Sequence, residues 1–521
     1  MPTQRRPPMP KLPPFALLDA QPRPKRPYYL LVFFFVFAVP LFAIHLSLLN
    51  LPYFWDELGQ FVPAALDLLR YGALVPRSAV PNVHPPGVEA FLVLFYKIFG
   101  YSIPVTRIAM LTMASAGLLI LFLLAIELSK GTKGAPAFLP PLFLLASPLF
   151  YTQSMMAQLD MPAMVFTLLG LLLFLKGQYR AAAVACVVLV LMKETGLVVP
   201  LVFLAILIHR KKWNAASYFL APFVVLSLWL LILHRATGFW LGDPGFAHYN
   251  IAYSLHPVRV VFSFWRRIYY LFVGEFRWVG TFLLIAAFQK AGTLRTFGWF
   301  TTSAVGIGMI LLVSVFGGAE LERYLLPVLP LFYIAVSVAL TYQRRAVNFV
   351  AVPVLLAGLA VNLFWNPPYP FPFENNLAMV DFVRLQQIAA GFVQQSHGGK
   401  TIATAWPYTA ALQRPEFGFV EKKLRVIETN DFHPQSIEAL SPGNFDVLIV
   451  YTRTWEPEKG VLLVPVVKRF LRHFYNWQPE ITADECARLG LHETVSWETH
   501  GQRITVYARE TPNMVRLRRE F

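Results

Sequence analysis

The stretch Tyr28 to Phe61, YYLLVFFFVFAVPLFAIHLSLLNLPYFWDELGQF, decides the reading of the fold: a long apolar run is followed at once by two acids, Asp56 and Glu57, set among aromatic rings. An apolar run of about 20 residues is long enough to cross the hydrocarbon core of a bilayer as a helix. Carboxylates at the end of such a run sit where lipid gives way to water, and there they are retained for a purpose.

The rest of the chain fits that start. Of its 521 residues 56% are hydrophobic, 15% aromatic and only 14% charged, the balance of a membrane protein. Apolar stretches recur at 28–50, 103–128, 135–150, 161–175, 181–192, 197–208, 215–233, 268–288, 297–316, 324–342 and 347–364, which gives about eleven transmembrane helices. Basic residues mark every second turn: Arg5, Arg6, Lys11, Arg23, Lys25 and Arg26 before the first span, then Lys130 and Lys133, Lys176 and Arg180, Arg210 to Lys212, Lys290 and Arg295, and Arg344 and Arg345. Loops of this kind stay in the cytoplasm, so residues 1–27 form a basic cytoplasmic N-terminus and Asp56 and Glu57 lie outside. The net charge of +16 is this topology signal together with contact to lipid headgroups, and it points to no nucleic acid. With no small-residue cleavage site after it, the first run reads as an uncleaved signal anchor. Cys186 in a span and Cys486 in the tail are not expected to pair.

The loop after the first span is long and patterned. Leu58, Phe61, Val62, Ala65, Leu66 and Leu69 recur at helical spacing with Gln60, Asp67 and Arg70 opposite, which predicts a helix lying in the membrane interface. A second interfacial helix is expected from "HPPG" (His84 to Gly87) to just before Gly100. Asp160 in "AQLDMP", Lys193 and Glu194 in "LMKETG", and Arg323 in "ELERYLLPVLP" fall at the same outer level, so these residues are expected to converge on one pocket. Arg259 to Arg277 holds four arginines and Glu275 beside an apparent span. It is either another interfacial helix or a span whose boundary lies elsewhere.

After Phe364 a proline-rich linker at 366–375 leads to sequence of soluble type, 376–521, read as an α/β domain outside the membrane. Strands are expected at "TIATAW", "DVLIVYT", "ETVSW" and "RITVYAR", the last two joined by a turn at Thr499 to Gln502, with helices near Leu377 to Gln395 and Ala483 to Leu489. Its roles are acceptor binding or lid, or a purely structural one.

"FWDE" after the first span, "HPPG" in the same loop, "QLDMP", "MKETG" and "RYLLPVLP" occur in this order on one side of the membrane. The combination resembles the GT-C glycosyltransferases of the protein O-mannosyltransferase and lipid A aminoarabinose transferase type over 28–365. Two departures are visible: Val88, Glu89 and Ala90 follow where the mannosyltransferases have Leu-Gly-Lys, and His84 stands where the aminoarabinose transferases carry Lys. The resemblance implies an inverting transfer of a sugar from a polyprenyl-phosphate carrier to a hydroxyl of a protein, lipid or envelope glycan, at the outer face of a bacterial inner membrane. On that reading Asp56 is the base that takes the acceptor's proton, with Asp160 as a second catalytic acid and Glu57 as structural or a second contact. Arg323, Lys193, His84 and Arg107 would hold the carrier phosphate. Some relatives use a divalent cation, for which Asp160 with Glu194 is the candidate ligand pair. A transporter or flippase of a lipid-linked sugar is the rival reading, against which stand acids at span ends and the absence of a visible internal repeat.

Overall fold

The computed structural model describes residues 28–132, 134–288, 290, 292–317, 321–365, 373–441, 443–453, 464–509 and 517–520. The basic N-terminus, Lys133 and linker residues 366–372 lie outside these.

Helix α1 (Tyr28–His45) leads through a short turn at Leu46–Leu48 into the first outer loop. A turn of π geometry, Glu57–Phe61, runs into α2 (Val62–Tyr71), which Gly72 closes at φ 66°, a left-handed conformation open to glycine at no steric penalty. Leu58, Phe61, Val62, Ala65 and Leu66 are buried as the periodicity predicts, but they pack on α3 and on the soluble domain. The cover is therefore protein where lipid was expected. Asp67 likewise is buried: it accepts the backbone N–H groups of Arg77 and Ser78, each at 2.7 Å, and ties down the following loop. Helix α3 (Gly87–Phe99) starts at the predicted "HPPG".

Helix α4 (Ile103–Leu128), started by a Ser102 cap, packs on α1, α3 and α7 (Asp160–Leu175). Between them lie α5 (Leu139–Ala146) and α6 (Pro148–Gln153). Helix α8 (Tyr179–Met192) pairs with α7, and α9 (Val198–His209) follows a 3₁₀ turn at Glu194–Leu197. Next come α10 (Trp213–Tyr218), α11 (Ala221–Thr237), α12 (Pro244–Ala247), α13 (Pro257–Phe272), α14 (Arg277–Phe288), α15 (Phe297–Phe316), α16 (Leu329–Leu340) and α17 (Arg345–Asn362).

Among the described residues, five helices are long and apolar enough to cross a membrane: Tyr28–Leu48, Ile103–Leu128, Trp213–Thr237, Phe297–Phe316 and Arg345–Asn362. The passages expected near 161–175, 181–192, 197–208 and 324–342 are shorter apolar helices. They stop short for a shared reason. Asp160 opens α7, Lys193 follows α8, Glu194 precedes α9 and Arg323 precedes α16, so each helix ends where its ionisable residue meets the same cavity.

The arginine-rich stretch is resolved as two elements. Helix α13 is strongly amphipathic and meets α14 at an angle of 83°, so one straight span over 268–288 is replaced by a sharply bent pair of helices, the geometry of a broken span or a re-entrant loop. The break sits at Glu275 and Phe276, both with left-handed φ (51° and 63°), and Glu275 is held there by Arg277 and the Tyr270 hydroxyl.

In the soluble part, α18 (Ala378–His397) packs on a sheet of β1 (Thr401–Ala405), β2 (Arg425–Thr429), β3 (Val447–Tyr451), β4 (His492–Thr499), β5 (Gln502–Ala508) and β6 (Leu517–Glu520), in the order β2-β1-β3-β5-β4-β6. Strand β1 is parallel to β2 and β3, and β5 runs antiparallel to β3 and β4. Strands β1, β3 and the β4–β5 hairpin match the sequence reading; β2 and β6 were not anticipated. Helices α19 (Tyr408–Gln413), α20 (Pro434–Ala439), α21 (Pro465–Tyr475) and α22 (Ala483–Arg488) complete the domain.

The two parts are closely joined. A Cβ on Gly59 would meet the Trp406 indole at 2.5 Å, Tyr53 packs edge-on to Phe417, and Tyr101 donates to the Glu416 carbonyl. On the far side Phe262 of α13 packs on Phe470 of α21.

Candidate active site

A cavity of about 1280 Å³ lies between one end of the helix bundle and the C-terminal domain. Its floor is ionic, one flank is apolar and its roof is polar and aromatic.

Arg323 organises the floor. Its guanidinium pairs with Asp56 through Nη2, with Glu374 through Nη1 at 2.8 Å, and approaches Asp160 through Nε at 3.2 Å, the last out of hydrogen-bond alignment. Asp160 also takes Lys193 Nζ at 2.5 Å, and that ammonium lies 4.1 Å from the centre of the Tyr324 ring. His84 Nδ1 is 2.8 Å from Glu194 Oε2, and Arg266 reaches across from α13 to Glu322. A buried arginine needs partners for its donors, and three carboxylates from three separate segments supply them.

The acids differ in what they leave free. Asp160 is 2% exposed and has a cation on each oxygen. Asp56 keeps part of its surface in the cavity, and among the described residues only its Oδ2 takes a partner. Trp55 just before it has φ 42°, a conformation that a bulky residue adopts only when its surroundings enforce it. Here the enforcement is a ring packed between Phe382, Trp406 and Tyr451. The soluble domain thus helps to aim Asp56.

Six of the residues expected at the site, Asp56, His84, Asp160, Lys193, Glu194 and Arg323, line this cavity. Glu57 and Arg107, expected as substrate contacts, do not. Both are wholly buried and paired with each other. Glu57 also accepts from the backbone N–H groups of Phe54 and Ala157, and Arg107 donates to the carbonyls of Leu51, Pro52 and Met155. That pair staples the loop after α1 to α4 and to the loop before α7.

Asp160 and Glu194, the candidate ligand pair for a divalent ion, are each taken up by a cationic side chain or a histidine, and among the described residues no three His, Cys, Asp or Glu side chains converge as a ligand set. The donors as arranged do not fit a metal, and no step below uses one.

The sequence reading missed Glu374, which lies in the supposed linker. It is buried, accepts from Arg323, and its backbone carbonyl takes the Thr152 hydroxyl at 2.5 Å. Burial raises its carboxyl to about 7 against the opposing pull of Arg323. The only signal for it was an acid in an otherwise apolar and proline-rich segment.

The flank is built from Leu201 of α9, Leu226 and Leu230 of α11, and Leu312 and Phe316 of α15. The roof carries Trp406, Glu428, Asn430, Asp431, Arg453, Trp477 and Glu480.

No protein-family model matches this chain, and no curated protein does. Solved structures share its fold. ArnT from Cupriavidus metallidurans bound to undecaprenyl phosphate matches at TM-score 0.54 and 14% identity, over 93% of this chain and 99% of its own. Its apo form matches equally at TM-score 0.54. The Archaeoglobus fulgidus oligosaccharyltransferase in complex with Zn and sulfate matches at TM-score 0.50 and 11% identity, over 81% of this chain and 67% of its own. What the likeness shows is the fold: the chain shares the overall architecture of these structures, a helical bundle with a small sheet domain at its C-terminal end.

Proposed function

We propose that the chain is an inverting glycosyltransferase that moves a sugar from a polyprenyl-phosphate carrier to an acceptor hydroxyl. The observation that carries this is an apolar flank running into an ionic floor, with one carboxylate oxygen left open beside a buried arginine. A polyprenyl tail suits the flank, where leucines from three helices face the cavity. The carrier phosphate suits the floor, where Lys193, His84, Arg266 and Arg323 gather. ArnT, which shares the fold, was solved with undecaprenyl phosphate.

The step then follows. The acceptor oxygen bonds to the anomeric carbon from the face opposite the phosphate, and its proton passes to Asp56. The bond from the anomeric carbon to the phosphate oxygen breaks, and its electron pair goes to the phosphate, where the floor cations hold the added charge. Asp160 acts through Lys193 and Arg323, whose positions it fixes. Glu57 and Arg107 act at one remove, by holding the loop that carries Asp56.

The same reading retains about eleven spans, a membrane domain at 28–365, an extracytoplasmic domain at 376–521 and residence in a bacterial inner membrane. It draws support from the bundle's polarity. The basic loops gather at one end, where Arg210 lies over the Phe297 ring and Lys212 donates to the Tyr179 hydroxyl, and the soluble domain covers the other.

The test is transfer of labelled sugar from a polyprenyl-phosphate donor by the purified full chain in detergent, with membrane extract as the source of acceptor. Vectorial transport cannot register there. Label moving from donor to acceptor is the expected result. Folded protein that binds undecaprenyl phosphate and moves no label would overturn the proposal.

A further inference from the structure

The roof of the cavity has a chemistry unlike its floor. Glu428, Asp431 and Glu480 place three carboxylates there, against Arg453 and His433: Arg453 donates to the Asn430 carbonyl at 2.7 Å and lies 6.0 Å from the centre of the Trp55 ring, and His433 Nδ1 is 3.2 Å from Asp431 Oδ2. Trp406 and Trp477 add indole rings to the same surface, and Trp55 continues it down to Asp56. From this surface we infer that the soluble domain forms the acceptor subsite, and that it takes a neutral carbohydrate. The inference rests on the transferase reading above and names the acceptor that reading leaves open.

Three properties of the roof select for this class. Ionised carboxylates only accept hydrogen bonds, so a ligand rich in O–H donors is matched and one rich in carbonyls is not. An excess of acid in the roof repels anions, so an anionic acceptor is disfavoured there. Indole faces offer apolar area to the C–H face of a pyranose, while the hydroxyls at the ring's edge remain free for the acids. Glu428 and Asp431 are also held in place. Glu428 accepts from the Thr409 hydroxyl at 2.7 Å, and Asp431 accepts the His433 backbone N–H at 2.9 Å. Glu428 and Asp431 still have lone pairs for a ligand.

Position completes the argument. Trp55 and Asp56 are adjacent in the chain, and the Trp55 ring packs edge-on to Trp406 of the roof. A sugar laid along these rings brings its hydroxyls to the open oxygen of Asp56, while the carrier approaches from the leucine flank. The two substrates then meet at the floor without sharing a wall.

The experiment uses the full chain in detergent on an array of neutral gluco-, galacto-, manno- and arabino-oligosaccharides, with anionic glycans and basic and neutral peptides as further arms. Undecaprenyl phosphate affinity is measured in parallel. Wild type is expected to retain neutral glycans, Trp477→Ala to lose roughly tenfold in glycan affinity, and Asn430→Ala to lose less. Carrier affinity should stay within about twofold in both variants, which also shows that they are folded. Retention of peptides or anionic glycans in preference to neutral ones, or no neutral glycan retained, overturns the inference. So does glycan binding that Trp477→Ala leaves unchanged. Failure of wild type to bind the carrier instead counts against the transferase reading, whatever the glycans do.

Discussion

Asp56 and Glu57 are neighbours of one chemical type with opposite fates. Asp56→Asn keeps the shape and the Arg323 contact but cannot take a proton, so single-turnover transfer should fall by a hundred- to ten-thousand-fold with carrier affinity little changed. Glu57→Gln leaves Arg107 buried without its counter-charge, and breaking such a pair costs about 3–5 kcal/mol. Its defect should appear as lost folded protein in size-exclusion chromatography, before any kinetic measurement. A stable, inactive Glu57→Gln protein with an active Asp56→Asn one would exchange their roles. Glu89 carries a different signature. It is buried with Oε2 lacking a hydrogen-bond partner among the described residues, and burial raises its carboxyl from 4.5 to about 7 although its own backbone N–H and His84 oppose the shift. The folded state therefore binds this proton more tightly than the unfolded one. Stability falls as pH rises from about 4.5 to about 7 and stays lower above. Glu89→Gln should raise the melting temperature at pH 8 and leave it nearly unchanged at pH 4, and an equal gain at both would refute burial as the cause. Nothing in the sequence distinguished these three acids by environment. What marked Asp56 was its place after an apolar run; what separated it from Glu57 was the direction of a side chain in a π turn.

Elements were legible where their signal is intrinsic and illegible where it depends on a neighbour. Apolar passages, the start of α3 at "HPPG", α18 and the β4–β5 hairpin follow from composition and period alone. The amphipathic stripe of α2 was equally clear, yet a stripe reads the same whether lipid or protein covers it, and here the cover is α3 and the soluble domain. The break between α13 and α14 depends on Glu275 finding Arg277 and Tyr270, which no local pattern announces. Strand β2 is as long as β1 and β3, five residues, but it exposes Arg425 and Glu428 and fully buries only Thr429, so it lacks the apolar run that marks the other two. Glu374 stands in a proline-rich, largely apolar segment and the roof acids in segments of ordinary polarity, and only the fold shows that they face a cavity. One contact between elements sets the site directly. A Cβ on Gly87 would lie 2.3 Å from the Leu191 carbonyl oxygen, so α3 and the end of α8 touch through backbone. That contact holds His84, three residues before Gly87, opposite Glu194, three residues after Leu191. Gly87→Ala must push the helices apart, at about 1–3 kcal/mol, and should lower both the melting temperature and carrier affinity. Gly391→Ala in α18, where a Cβ meets open space, is the control and should be neutral or stabilising. Unchanged carrier affinity in a destabilised Gly87→Ala would separate the packing from the site.

At the scale of the whole molecule, the question is which side of the membrane holds the cavity. Counting spans from the basic N-terminus makes the answer depend on parity, and parity depends on α13. Taken with α14 as one bent passage it adds no crossing of its own, and the expected odd number then puts the soluble domain outside on the proposed topology. Counted as a span of its own, it would reverse the result. The 83° bend to α14 and its strongly amphipathic face favour the first. A second argument does not involve counting. Arg210 on Phe297, Lys212 on Tyr179 and the Trp299 indole on the Leu128 carbonyl bring the basic loops to one end of the bundle, and the soluble domain meets the opposite end at Tyr53, Gly59 and Tyr101. Short basic loops remain in the cytoplasm, so the proposed topology expects domain and cavity outside whatever the number of crossings. A fusion after Phe521 tests this in a bacterial host. Alkaline phosphatase, which needs an oxidising compartment to form its disulfides, should be active there. A fluorescent protein that matures only in the cytoplasm should stay dark. Bright fluorescence with inactive phosphatase would put Asp56 on the cytoplasmic face and remove the case for a carrier presented at the outer one.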